Sequence, residues 1–252
     1  TEKTSNGMNH LRELSKSGIT HIHLLPVEDI ASIEEDEMLR NSMQKPSKSQ
    51  ENLEQPQEEV GKIRDKDAYN WGYDPLHYVT PEGSYSTDPN SSKRILEFRQ
   101  MIKSLNEEGL RVIMDVVYNH TSEAGNGNKS VYDKIVPGYY YRLDHNGKHQ
   151  NSTCCPDTAS EHKMMEKLIA DTLKIWAKYY KIDGFRFDLM GHHTTENMKK
   201  IRTTLDSLDP ILDGVDGKKI YIYGEGWKFG SLTNIYPKLA MNQDNAYGLG
   251  VG

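Results

Sequence analysis

Ser91 to Val117 reads SSKRILEFRQMIKSLNEEGLRVIMDVV. Ile95, Phe98, Ile102 and Leu105 recur three or four residues apart, which predicts a helix with one apolar stripe. Gly109 is the stop such a helix needs, and the apolar run Arg111-Val-Ile-Met-Asp-Val-Val117 then reads as a buried strand. The same arrangement recurs along the chain. Met8 to Ser17 precedes Gly18 and Thr20-His-Ile-His-Leu-Leu-Pro26, and Ser160 to Tyr180, with Leu168, Leu173 and Trp176 facing the core, leads into Gly184-Phe-Arg-Phe-Asp188. Thr194 to Leu208 leads through a loop to Ile220-Tyr-Ile-Tyr-Gly224. Helices alternating with short apolar strands predict an α/β fold of βα units on a parallel sheet. At 252 residues the length suits one large barrel or two ordinary domains. No internal repeat or linker marks a second domain, so residues 1–252 are read as one.

Composition narrows the function classes. No stretch approaches the roughly 18 apolar residues of a membrane helix, and Thr1 to His10 lacks the pattern of a signal peptide. The first residue is not Met, which leaves an earlier segment open, and nothing in the chain fixes its compartment. The net charge of −6 is local: residues 28–67 hold 12 acidic and 6 basic side chains, and the remainder is neutral. A neutral remainder without a basic stripe argues against nucleic acid. Rich in Glu, Gln, Ser, Lys and Pro, residues 28–67 are expected to form a mobile excursion. A second long loop, Tyr118 to Asp157, carries the turn signals Gly125-Asn-Gly, Pro137-Gly and Asn146-Gly, and both excursions are expected around one mouth of the fold. Fifteen Tyr against 4 Phe and 3 Trp suit sugar binding or a tyrosine-rich core.

Three strands finish in polar or acidic residues: Asp115-Val-Val-Tyr-Asn-His120, Gly184-Phe-Arg-Phe-Asp188 and Tyr223-Gly-Glu-Gly-Trp227. In a barrel of parallel strands these ends converge, bringing Asp188, Glu225, Arg186 and His120 into one pocket. Two carboxyls, one kept protonated by burial and one kept ionised by an arginine, are what glycosidic cleavage requires. Taken singly, each acid could equally be a helix cap or half of a buried ion pair.

These three segments resemble the first three conserved regions of glycoside hydrolase family 13, the α-amylase family, in family order. Tyr69-Asn-Trp-Gly-Tyr-Asp-Pro75 resembles the signature of its type I pullulanase and limit-dextrinase branch. Phe187-Asp-Leu-Met190, Gly224-Glu-Gly-Trp227 and Val136-Pro-Gly-Tyr-Tyr140 strengthen that narrower likeness. The resemblance implies a (β/α)8 TIM barrel of which this chain holds about strands two to five. It implies retaining hydrolysis of α-1,6-glucosidic bonds in pullulan, amylopectin and limit dextrins, with an α-glucan as partner. Asp188 would be the nucleophile and Glu225 the general acid/base, with Arg186 holding Asp188 ionised and burial raising Glu225. His120 and Tyr73 would contact the sugar, Trp227 would stack on it, and Asp115 would support the site. Asn119 matches a calcium position of many α-amylases, but the following loop differs, so no side chain is assigned to a metal; no cofactor is required, and a structural calcium stays open without a site. The family's third carboxylate, its first strand and its N-terminal carbohydrate-binding modules are expected outside this chain. Without that carboxylate, the piece alone is expected to be inactive. Isoamylase-type or α-1,4 hydrolysis and an inactive glucan-binding fragment are the competing readings.

Three features stay open at this point. His21 and His23 share one strand face, as in a metal-binding His-x-His, but no partner ligands appear at later strand ends. His192 and His193 could face the sugar site or solvent. Cys154 and Cys155 could form a vicinal disulfide or stand as two thiols.

Overall fold

The computed structural model describes residues 5–41 and 70–252. The expected βα units are present. Helix α1 (Asn6–Lys16) precedes β1 (His21–Leu24), α3 (Lys93–Glu107) precedes β4 (Arg111–Val116), and α4 (Lys163–Tyr180) precedes β5 (Gly184–Phe187). Helix α5 (Thr195–Asp206) precedes β6 (Tyr221–Gly224). The four strands form one parallel sheet in the order β1-β4-β5-β6.

Two short strands were not foreseen. β2 (Glu28–Ile30) pairs antiparallel with β3 (Pro75–Pro81), with short helix α2 (Glu37–Asn41) between them in sequence. All three residues of β2 are buried, so the excursion expected from residue 28 begins inside the fold. Residues 42–67 of it, and Tyr69 of the signature stretch, lie outside the described residues.

Strand alternation sorts side chains to the two faces of the main sheet. Val112, Met114 and Val116 of β4, Phe185 and Phe187 of β5 and Ile222 of β6 join the core with Ile102, Leu105, Ile169, Leu173, Trp176, Ile201 and Leu205 of the helices. Trp176 is fully buried and donates its indole N–H to the Tyr78 carbonyl at 2.8 Å, which ties α4 to β3. Much of the tyrosine excess is core: Tyr78, Tyr118, Tyr132 and Tyr141 are buried.

The opposite face carries His21 and His23, Ile113 and Asp115, Gly184 and Arg186, and Tyr221 and Tyr223. The pairing aligns Asp115 with Arg186 and Arg186 with Tyr223 in one row. His23 of β1 and Tyr223 of β6 belong to strands three positions apart, roughly 14 Å at the usual spacing of a flat sheet. Their rings nevertheless lie 5.9 Å apart and the Tyr223 hydroxyl meets His23 Nδ1 at 3.0 Å. The sheet is therefore strongly curved, with this row on its concave face. Past β6, Gly252 donates to the Ile222 carbonyl and accepts from the Gly224 amide, a parallel-ladder pattern on the outer edge of β6.

Candidate active site

Curvature brings the expected residues together. The Arg186 guanidinium reaches three carboxylates: Nη1 bonds both Asp115 oxygens at 2.9 and 3.0 Å and Asp188 Oδ1 at 3.2 Å, while Nη2 bonds Glu225 Oε1 at 2.8 Å. A planar guanidinium with donors on both arms suits such a bridge. Asp188 directly follows β5 and Glu225 directly follows β6, where Phe187 pairs with Gly224. A Cβ on Gly224 would stand 2.6 Å from the Phe187 carbonyl oxygen, so the close approach of these strand ends requires glycine.

Each carboxylate has a second anchor. Asn119 donates its amide to Asp188 Oδ2 at 2.8 Å and to the Asp188 carbonyl at 3.0 Å. The Leu189 amide donates to Glu225 Oε2 at 2.9 Å, with Leu189 at φ 42°, a left-handed conformation uncommon for a bulky residue. Asp115, 2% exposed, also accepts the Tyr73 hydroxyl at 2.6 Å, and His23 Nε2 stands 3.7 Å away. His120 is buried, with Nε2 at 3.0 Å from the Tyr73 carbonyl and Nδ1 at 2.5 Å from Asn119 Oδ1. Tyr73 and His120 thus lie at the cluster. Trp227 is 60% exposed and makes no bond to it among the described residues.

The electrostatics differ from expectation. Arginine was expected to keep Asp188 ionised and burial to act on Glu225. Instead the Asp188 side chain is the more buried, 14% exposed against 29% for Glu225, and both share Arg186. Burial pushes the Asp188 carboxyl up; the Asn119 amide opposes this, Glu225 adds to it and Arg186 opposes it. Burial also works against the Arg186 charge, but its bonds to Asp115 and the charges of Glu225 and Asp188 outweigh that and raise it further. The Tyr73 phenol is raised by burial and by Asp115, so it stays a hydrogen-bond donor.

The sequence did not show Asn119 as an anchor of Asp188, nor that His23, read there only as part of a His-x-His pair, meets Tyr223 beside the cluster. Tyr223 could have been found, because it stands two residues before Glu225 on the same strand face. His23 required the sheet curvature.

The open features resolve as follows. His23 faces Asp115 and Tyr223, and no cluster of ligand-type groups among the described residues includes His21 or His23. His192 and His193 face neither sugar nor solvent: they are 1% and 0% exposed, with no hydrogen-bond partner on any ring nitrogen. Cys154 and Cys155 are joined to each other. Their sulfurs lie near His120, but the disulfide and the bonds of His120 occupy those groups. The other cluster of ligand-type groups among the described residues, Asp29, Glu35 and Glu82, is filled by Arg94 and by the Ile30 and Ser84 amides. Neither is assigned as a metal site. The two excursions do meet, since Lys129 of the long loop bonds the Ala31 carbonyl.

No family model matches the chain. It is 43% identical over 257 residues to pullulanase 1, chloroplastic, of Arabidopsis thaliana, a match that takes in 100% of this chain and 26% of that protein. The crystal structure of PulA from Klebsiella oxytoca superposes with a TM-score of 0.84 at 40% identity, covering 99% of this chain and 26% of that one. A maltotriose complex of PulA from Klebsiella pneumoniae superposes at 0.83 with 40% identity, over 99% of this chain and 30% of that one. The chain spans about a quarter of the length of the curated relative.

Proposed function

We propose that this chain, a homologue of one segment of the pullulanases, forms the catalytic part of a debranching hydrolase acting on α-1,6-glucosidic bonds with retention of configuration. The observation that carries the proposal is the Arg186 bridge, which gathers Asp188 and Glu225 from neighbouring strand ends onto one guanidinium. Retaining hydrolysis needs two carboxyls about 5–5.5 Å apart. Two groups bound to opposite arms of one planar cation suit that spacing.

In this reading Asp188 attacks the anomeric carbon and forms a glycosyl ester, while Glu225 protonates the departing oxygen and then deprotonates the incoming water. Asn119 binds Asp188 Oδ2, and among the described residues Asp188 Oδ1 is held by Arg186. Sugar binding that displaces this contact frees the nucleophile. Glu225 is the more exposed acid and so can meet a leaving group entering from solvent. On this reading Tyr73 and His120 would line the sugar position, and Trp227, which is exposed, would offer its ring for stacking.

The reading places the curved sheet in a (β/α)8 barrel, supported by its concave polar row and by the ladder contact of Gly252 on β6. The remaining strands and a third carboxylate would come from outside these residues. No cofactor enters the scheme, and no side chain is assigned to calcium. The test is digestion of pullulan by the complete natural protein. Release of maltotriose supports α-1,6 cleavage, whereas attack on linear α-1,4 glucans with pullulan untouched overturns it.

A further inference from the structure

Glu28 opens β2 at 1% exposure, and neither of its carboxyl oxygens has a hydrogen-bond partner among the described residues. The groups acting on it most strongly are Asp115 of β4 and the Tyr118 hydroxyl and Val117 amide just past β4. Neither the hydroxyl nor the amide forms a well-shaped bond with it; the Tyr118 hydroxyl is engaged with Thr172 at 2.8 Å. Tyr78 of β3 and Tyr132 of the long loop also sense its charge. None of these five is a cation, and Arg186 is taken up by Asp115, Asp188 and Glu225.

A carboxylate buried without a cation costs far more than an unpaired neutral acid in the same place. The neutral form is therefore the one compatible with this site. Burial first, and the Asp115 charge second, drive the group the same way. An ionised Glu28 would set a second anion against Asp115, the residue that anchors both Arg186 and the Tyr73 hydroxyl.

We propose that Glu28 is carried as a neutral carboxylic acid, which leaves Asp115 free to hold Arg186 and Tyr73, and that its ionisation sets the alkaline limit of hydrolysis. The second half rests on the function proposed above; the first half does not.

Both halves are tested on the complete natural protein with wild type, Glu28→Gln and Glu28→Leu. Infrared difference spectra at neutral pH should show a protonated carboxyl band in wild type that both variants lack. At neutral pH kcat/KM on pullulan should stay within about threefold of wild type in both variants, because each keeps a neutral side chain of similar size. The alkaline limb of the pH profile should move up by about one unit or more. Glu28→Leu keeps the test open if the glutamine variant fails to fold. Absence of the protonated band, or an alkaline limb unmoved in both variants, overturns the proposal. Wild type that leaves pullulan intact overturns the functional reading instead, and the infrared band then decides whether Glu28 is neutral.

Discussion

Arg186 contributes more than charge. A lysine would keep the charge but supply one ammonium where the guanidinium grips Asp115, Asp188 and Glu225 with two arms. Arg186→Lys should lower kcat by at least about 100-fold with a smaller change in KM, measured on pullulan at saturating and limiting substrate. An equal rise in KM at unchanged kcat would reduce Arg186 to a binding residue. His192 sets a pH limit on stability. Burial holds its pKa down to about 4 from 6.5, with Asp157 opposing and Arg142 adding to the effect. Above pH 6.5 the ring is neutral in both folded and unfolded chains and contributes nothing. Between pH 6.5 and about 4 only the unfolded chain takes the proton, so acidification should remove about 3 kcal/mol. Urea unfolding of His192→Phe across that window should show a flatter loss than wild type. At this scale the two clustered acids, Asp188 and Glu225, were legible because strand ends are where the side chains of a parallel sheet gather. Their anchors were not. Asn119 reaches Asp188 across 69 positions of sequence, a contact that only the strand register creates.

Elements with a clear period were readable. The helices announced themselves by apolar spacing, α1 and α3 also by a following glycine, and the four parallel strands by short apolar runs. β2 and β3 gave no such signal, because one is three residues long and the other begins and ends in proline. Prolines demote a run that would otherwise read as strand. The element contact of most consequence is β5 against β6 at Phe187 and Gly224. Gly224→Ala forces a Cβ into the space 2.6 Å from the Phe187 oxygen, so the strand ends must part. The expected costs are about 1–3 kcal/mol in stability and a fall in kcat larger than the drop in folded protein accounts for, since Glu225 moves with residue 224. Thermal melts read beside activity per folded molecule separate the two. A variant that melts lower but keeps full activity would show that the β5–β6 approach does not set the acid pair.

For the molecule as a whole, the parallel sheet leaves the far edge of β1 without a strand among the described residues. Open edges recruit other strands. Residues 1–252 produced alone should therefore associate, which light scattering would detect as species heavier than one 28.8 kDa chain. A monodisperse monomer with a single cooperative melt would contradict this. Curvature was the least legible global property. It is carried by Tyr223 and His23 meeting across the sheet, and neither residue type predicts it. The central claim is that Asp188 becomes covalently bonded to the sugar. The most direct test incubates the complete protein with a 5-fluoro-α-glucosyl fluoride, which slows the second step of a retaining reaction, and maps the adduct by peptide mass spectrometry. The account predicts one glucosyl group, on Asp188; labelling of Glu225 or of any other residue, or turnover that never passes through an adduct, would contradict it.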